Sequence, residues 1–368
     1  MSCDGTVLKM NTTLRDIGRM LGLSATTVSL ALRDHPRIPA NTKRRVYRVM
    51  RQLKYEPDQV ARALVIGRSN LVGVIVPNSS DPYYAEVFRG IEDSARSTEY
   101  HVLLSNGSYD MNGYAERVRE MMGLHVRSII AAPPFVSERP KLSSPWRELC
   151  TSNVQVVLVN RRLDPPIFHQ VTADYISGVR MVVEALASRG HRRVAYISGQ
   201  PAMLPILQRL AAFKRYSRRY GFENDSSLFE CSQLDFRGGY EACNRLWTRV
   251  GKKKPTAIVA FSDTVAVGAL RFIHEKEIKV PEDVSVASFD GIKLSEFTHV
   301  GLSTVETPMY EIGKQAFDLL MGSLRGVYSW PQSLVLPVKL LLRESVGPAR
   351  IMKGIRPVNP SSVAKAAA

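Results

Sequence analysis

From Leu71 to Phe289 the chain repeats one texture: a short, nearly unbroken run of Val, Ile and Ala, then a stretch with helical spacing. The runs are 71–76, 101–105, 127–132, 154–159, 193–198, 257–261 and 284–289. Continuous apolar runs suit strands buried on both faces of a parallel sheet, since a strand with one wet face would alternate. Helical patterns fall between them, over 84–97, 112–122, 175–189, 206–220, 238–249 and 264–276. Gly190, Gly221 and Gly251 follow three of these, where a helix stop favours a left-handed residue. The alternation predicts doubly wound α/β architecture. Residues 133–145 read as a Pro-rich loop.

The residues before Leu71 are different. Positions 1–68 hold thirteen Lys/Arg against five Asp/Glu, a net +8 that is half of the whole chain's +16. A basic excess concentrated in one segment points to an anionic partner, nucleic acid or an acidic membrane surface. Residues 13–32 read TLRDIGRMLGLSATTVSLAL. This predicts a first helix over 14–20 with Ile17 and Met20 facing inward, a turn at Gly22, and a second helix over 25–32 capped by Ser24. Val28, Ala31 and Leu32 are spaced to pack on the first helix, which leaves small and polar Ala25, Thr26 and Ser29, with Leu30, on the other side. A third amphipathic helix, about 40–53, brings Val46, Val49 and Leu53 to the core. A plain helical bundle is the alternative on pattern alone; the charge and the segment that follows favour a helix-turn-helix.

That head resembles the lactose-repressor/galactose-repressor family, whose pattern is close to T-L-x-D-V-A-x-x-A-G-V-S-x-x-T-V-S-x-x-L. Here it runs Thr13, Leu14, Asp16, Ile17, Gly18, then Gly22, Ser24, Thr27, Val28, Ser29 and Leu32. The family's hinge pattern Y-x-P-N-x-x-A-x-x-L follows as Tyr55, Pro57, Asp58, Ala61 and Leu64. The resemblance implies that Ala25 and Thr26 meet base edges, and that Thr13, Ser24, Thr27, Ser29 and Arg37 belong to the DNA contact with Leu30. Phosphate contacts position the head without reading sequence. It also implies that Ala61 and Leu64 enter the minor groove, Leu64 as an apolar wedge that kinks the duplex; an ordinary core leucine is the alternative. Many family members carry Arg after T-V-S. Leu30 stands there, so guanine readout by a guanidinium is replaced by apolar contact, for instance to a thymine methyl. Asp58 replaces the hinge Asn.

The resemblance runs on to about Glu344 and implies a core similar to periplasmic sugar-binding proteins: two α/β lobes, three crossover strands and a ligand cleft between. The first lobe is expected over 71–172 plus 302–332, the second over 174–300 plus a last strand around 334–342. Asn78-Ser-Ser-Asp-Pro-Tyr-Tyr84 follows the first strand as a family motif does, and Tyr83 and Tyr84 form an apolar wall for a ligand face. The stretch Gly190 to Gly199 matches G-H-R-x-I-x-x-I-x-G, and Arg209 in the next helix matches an effector-binding arginine. Phe236 falls near a stacking aromatic, and Asp290 falls on the effector-binding acid. Asn160 replaces a frequent Asp and Ser262 a frequent Asn, and Arg161 and Arg162 follow Asn160. Those departures leave the sugar class plausible without securing it, and the adjacent arginines tolerate an anionic effector better. The bland readings are a surface ion pair for Arg209, a helix cap for Asp290 and packing for the tyrosines.

The expected domains are a helix-turn-helix head over 11–56, a hinge over 57–69, a two-lobed effector and dimerisation domain over 70–345 and a flexible tail over 346–368. The expected function is sequence-specific transcriptional regulation, a repressor controlled by a sugar or related metabolite. The partners are a palindromic operator duplex, the small effector and a second copy of the chain. No cofactor or metal is expected: Cys3, Cys150, Cys231 and Cys243 form no CxxC pair. No Walker loop, GxSxG elbow, GxGxxG turn or HExxH helix occurs, so no enzyme is expected. With no apolar leader and no run near ~18 apolar residues, neither export nor membrane spanning is expected, and the cytoplasm is the compartment. An exported binding protein lacks a reason for the basic head. An architectural DNA binder without effector is favoured if side chains fill the cleft.

Overall fold

The computed structural model describes residues 13–32, 34–53, 69–134, 144–152, 154–201 and 203–350. Its contacts fall into two units, one ending at Ser69 and one beginning at Asn70.

In the first unit Thr13 opens helix α1 (Leu14–Leu21) with a capping box to Asp16, and Gly22, at φ 66°, closes it in the left-handed region. Helix α2 (Ala25–Leu32) and helix α3 (Ala40–Leu53) follow. Ile17, Val28, Ala31, Val46 and Val49 are buried together, with Leu14, Leu21, Leu32 and Leu53 packed around them. Met20 departs from expectation: it is 61% exposed. The inward stripe of α1 runs through Leu14, Ile17, buried Gly18 and Leu21, the i, i+3, i+4, i+7 set, so Met20 lies beyond its edge.

The second unit contains two six-stranded sheets. Its chain order begins β1 (Leu71–Val76), α4 (Pro82–Ala95), β2 (His101–Asn106), α5 (Met111–Gly123), β3 (Ser128–Ala131), α6 (Ser144–Thr151), β4 (Gln155–Val159) and β5 (His169–Ala173). It continues with α7 (Tyr175–Ser188), β6 (Val194–Gly199), α8 (Leu204–Arg219), β7 (Phe229–Ser232), α9 (Phe236–Arg249), β8 (Ala257–Ala260), α10 (Asp263–Glu275) and β9 (Ser285–Asp290). It ends with β10 (Ser303–Glu306), α11 (Met309–Leu324), β11 (Ser333–Leu336) and β12 (Lys339–Leu341). The first sheet is ordered β11-β5-β4-β3-β1-β2 and is wholly parallel. The second is ordered β12-β10-β9-β8-β6-β7, parallel except for β12. This is the doubly wound architecture that the apolar runs imply, in the two lobes that the family resemblance implies.

The late crossings differ from the expected partition. Residues 303–306 belong to the second sheet, not the first lobe, and α11 then packs back against α4 and the first sheet. The expected single strand at 334–342 is two strands on different sheets, because Pro337 interrupts it. β5, HQVTA, is buried throughout despite its polar side chains. Gln170 fastens the loop before it, accepting from Leu163 N at 2.9 Å and donating to Leu163 O at 3.1 Å. Helix α6 begins inside the expected Pro-rich loop; residues 135–143 of that loop lie outside the described residues. Part of the expected tail is also fixed: Gly347 N donates to Ser285 Oγ and Ala349 N to Arg189 O.

Each lobe closes on a reciprocal glycine crossing. A Cβ on Gly90 of α4 would lie 2.1 Å from Tyr310 O, and one on Gly313 of α11 would lie 2.0 Å from Val87 O. In the second lobe a Cβ on Gly239 would lie 2.1 Å from Val265 O, and one on Gly268 would lie 1.9 Å from Phe236 O. These contacts are with backbone, which cannot rotate away. Gly313→Ala is expected to cost ~1–3 kcal/mol or more in urea unfolding, as overpacking does. Gly123→Ala, with nothing within 4 Å of the new carbon, serves as the control and should be neutral or slightly stabilising.

Candidate functional sites: the exposed face of α2 and the interlobe cleft

The start of α2 is organised by Ser24, whose Oγ accepts from Thr27 N at 3.0 Å and lies 2.8 Å from Thr27 Oγ1. Thr26 is exposed; Ala25, Thr27, Ser29 and Leu30 are half-buried. Thr13 and Arg37 are exposed, Thr13 hydrogen-bonded to Asp16, whose carboxyl those bonds hold below its usual pKa. Exposed Arg15, Arg19, Arg44, Arg45, Arg48 and Arg51 give the unit its positive surface. The N-terminal turn of an α-helix offers free amides and a partial positive charge, so this face suits a phosphate backbone with base edges beyond it. Ala61 and Leu64 lie outside the described residues.

In the second unit, the strands' C-terminal ends supply a cleft between the lobes. Asp81 caps α4 by accepting from Tyr83 N at 3.0 Å, and Pro82 occupies its first turn. This turns Tyr83 and Tyr84 inward, buried and edge-to-face at 5.1 Å. Tyr83 Oη meets Tyr175 Oη of the other lobe at 2.8 Å. Asn160 ends β4 at φ 55°, and its Oδ1 is buried without a partner. Asp290 ends β9 at φ 109°, a conformation L residues rarely adopt. Such strain concentrates where a site needs a side chain aimed in one direction.

Arg209, from α8, is the centre. It is 2% exposed, and its guanidinium lies 3.8 Å from the centroid of Tyr175, 4.4 Å from Phe261 and 5.4 Å from Phe289. Nη1 donates to Phe261 O at 2.9 Å and lies 3.9 Å from Asp290 Oδ1, while Nε has no partner. Ser262 caps α10, accepting from Val265 N at 3.4 Å. Asp263 behind it accepts from Ser288 Oγ at 2.5 Å, Thr304 Oγ1 at 2.6 Å and Ile292 N at 2.8 Å. Burial pushes Asp263 and Asp81 up to about 6. It pushes Asp290 well above the carboxylate range, with Arg209 opposing and Asp263 and Asp81 adding to the rise.

Tyr83, Tyr84, Asn160, Arg209, Ser262 and Asp290 therefore come together around one cavity. Phe236 does not: it starts α9, is 43% exposed, and stands outside the lining, where Leu234 is found instead. Asp235 caps the helix through Gly238 N, which leaves Phe236 on the open first turn. Sequence reasoning missed Asp81, Tyr109, Met203 and Phe261, and noted Arg161 without placing it in the site. The signal for Arg161 was its adjacency to Asn160. The cavity's free volume is about 40 Å³, room for a water or two.

Residues 13–58 match the model of the lacI family of bacterial regulatory proteins, and residues 183–346 match the periplasmic binding protein-like domain. The chain is 30% identical over 337 residues to catabolite control protein A of Priestia megaterium, covering 91% of this chain and 99% of that protein. It belongs to the lacI family. As a lacI-family protein it is a DNA-binding transcription regulator with a periplasmic-binding-protein-like core. It is also 28% identical over 334 residues to the transcriptional repressor CytR of Escherichia coli K12, covering 90% of this chain and 96% of that protein. The lac repressor dimer bound to operator and the anti-inducer ONPF shares the fold at a TM-score of 0.79 and 22% identity, covering 91% and 98% of the two chains. The regulator CelR in complex with cellobiose shares it at 0.67 and 24%, covering 91% and 100%. Among the described residues no helix is long and apolar enough to cross a membrane.

Two substitutions test the cleft's supports. Asp263→Ala leaves three buried donors without an acceptor and should cost about 3 kcal/mol or more in denaturant unfolding. Asp81→Asn keeps a helix cap and removes a titration. Because the folded-state pKa of Asp81 is raised to about 6 from 3.8, the folded state holds the extra proton in that window, and stability falls as pH rises through it. The variant should show a shallower fall in melting temperature between about pH 4 and 6. An unchanged slope contradicts the burial of that carboxyl.

Proposed function

We propose that this lacI-family regulator is a cytoplasmic homodimeric repressor that binds a palindromic operator, one head per half-site, and that a small metabolite in the interlobe cleft sets its operator affinity. The exposed, Ser24-capped start of α2 on a strongly basic unit carries the DNA part of this reading. Ala25 and Thr26 meet base edges, with Leu30 beside them. Thr13, Ser24, Thr27, Ser29 and Arg37 hold phosphates, and Ala61 and Leu64 enter the minor groove. Catabolite control protein A and CytR are named as regulators, and the lac repressor neighbour is a dimer on its operator; both support the reading.

The effector part rests on the unpaired polar atoms. Nε of Arg209 and Oδ1 of Asn160 are buried with no partner, and a buried unpaired polar group costs ~1–3 kcal/mol unless something fills its demand. CelR with cellobiose, and a regulator from Enterococcus faecium with ribose, support a small polar ligand. Binding and DNA affinity are then linked reciprocally through the angle between the lobes. A second reading draws on the small cavity. At about 40 Å³, the cleft falls far below the ~300–1,000 Å³ of most ligand pockets, which favours an effector-free architectural binder. A low-mass metabolite extract separates the two, because it changes operator affinity only if the cleft opens to a ligand.

Selection from a random duplex pool should return a palindrome. Against it, Leu64→Ala is expected to lose about tenfold or more in specific affinity, the scale of a lost wedge. Its nonspecific binding should be unchanged and equally salt-sensitive. Loss of both in parallel, or no enrichment at any salt, contradicts the proposal.

A further inference from the structure

The charged groups around the cleft are poorly paired. Arg161, 1% exposed, lines it with Arg209. Its Nε donates to Pro133 O, Nη1 to Asn160 O at 2.7 Å, and Nη2 makes long contacts of 3.4 Å to Ala132 O and 3.5 Å to Met203 Sδ. Carbonyls and a thioether carry no charge, and no described carboxylate lies within ion-pair distance of Arg161. Arg209 has one carboxylate, Asp290, at a loose 3.9 Å, and an idle Nε. Of the two buried guanidinia, one has a single loose carboxylate and the other has none within ion-pair distance. Asp81, the other acidic residue of the lining, accepts from the N–H of Tyr83 and forms no ion pair with either guanidinium. A buried charge without a counter-charge is expensive, and the cost is relieved by a ligand that brings one. Beside them, Asn160 Oδ1 is an acceptor lacking a donor.

We infer that the effector is a polyhydroxylated carboxylic acid, a sugar acid, whose carboxylate lies between Arg161 and Arg209 and whose hydroxyl donates to Asn160 Oδ1. This rests on the reading that the cleft takes an effector. A carboxylate matches the planar guanidinium fork, two oxygens against two N–H groups. Neutral sugars satisfy Asn160 and leave the arginines uncompensated.

Calorimetry on the full chain tests this with matched probes: glucuronate against glucose, galacturonate against galactose, gluconate against glucitol, and glucose 6-phosphate. At least one acid should bind about tenfold or more tighter than its neutral partner, as a charge-assisted pair against a neutral one allows. Arg161→Gln should erase that preference. Because that buried arginine also ties strand ends, Asn160→Asp is the second arm. It places a carboxylate beside the ligand's own and should weaken the acid about tenfold while sparing its neutral partner. Neutral sugars binding as well as the acids, glucose 6-phosphate binding best, no acid binding, or an acid indifferent to both variants each overturns the inference. The effector reading fails separately: it stands if the metabolite extract still shifts operator affinity, and falls if the extract does nothing.

Discussion

The chain passes between its two sheets three times, at Ala173–Tyr175, Glu306–Met309 and Leu336–Lys339, and the cleft is a consequence of that constraint. Parallel strands deliver their C-terminal ends to one side, and open α/β sheets bind ligands there. β1 leads into Asp81 and the tyrosines, β4 into Asn160, β8 into Ser262 and β9 into Asp290. Only three short passages join the lobes, and in the proposed regulation a ligand that prefers one lobe angle shifts the population of that angle.

The lobes meet in the cleft through polar and aromatic contacts. The Tyr83–Tyr175 hydroxyl contact and the Arg161–Met203 contact bridge the lobes, and Arg209 fills the space with its guanidinium against aromatic rings. Buried charge stacked on rings is tolerable but poorly compensated here. Apolar packing supplies the rigidity behind it: one core cluster runs from Val74 and Val171 to Phe213 and Phe289, and glycine crossings lock α4 to α11 and α9 to α10. The tight crossings stiffen each lobe behind the cleft.

Much of this was legible in the residues. β1 and β8 announce themselves because strands covered by helices on both faces favour apolar side chains at nearly every position. β5 does not, because His169, Gln170 and Thr172 look like loop until the fold gives them partners. The break at Pro337 was visible as a proline but not as a change of sheet. Tyr83, Asn160, Arg209 and Asp290 could be named from motif resemblance. The unpaired atoms, the positive φ at Asn160 and Asp290 and the isolation of Arg161 from acids are properties of three-dimensional packing. Phe236 failed for a local reason, since a one-residue difference in where a helix begins decides which side chain points inward.

The proposed DNA recognition depends on α2 lying in a major groove with Leu30 over a base pair. Duplex selection with Leu30→Arg against the parent chain addresses that placement directly. A guanidinium there reads guanine where an isobutyl group cannot. The account predicts the same palindrome with guanine newly preferred at one symmetric pair of positions and no change elsewhere. An identical preference at every position, or a change spread over the whole site, would contradict it.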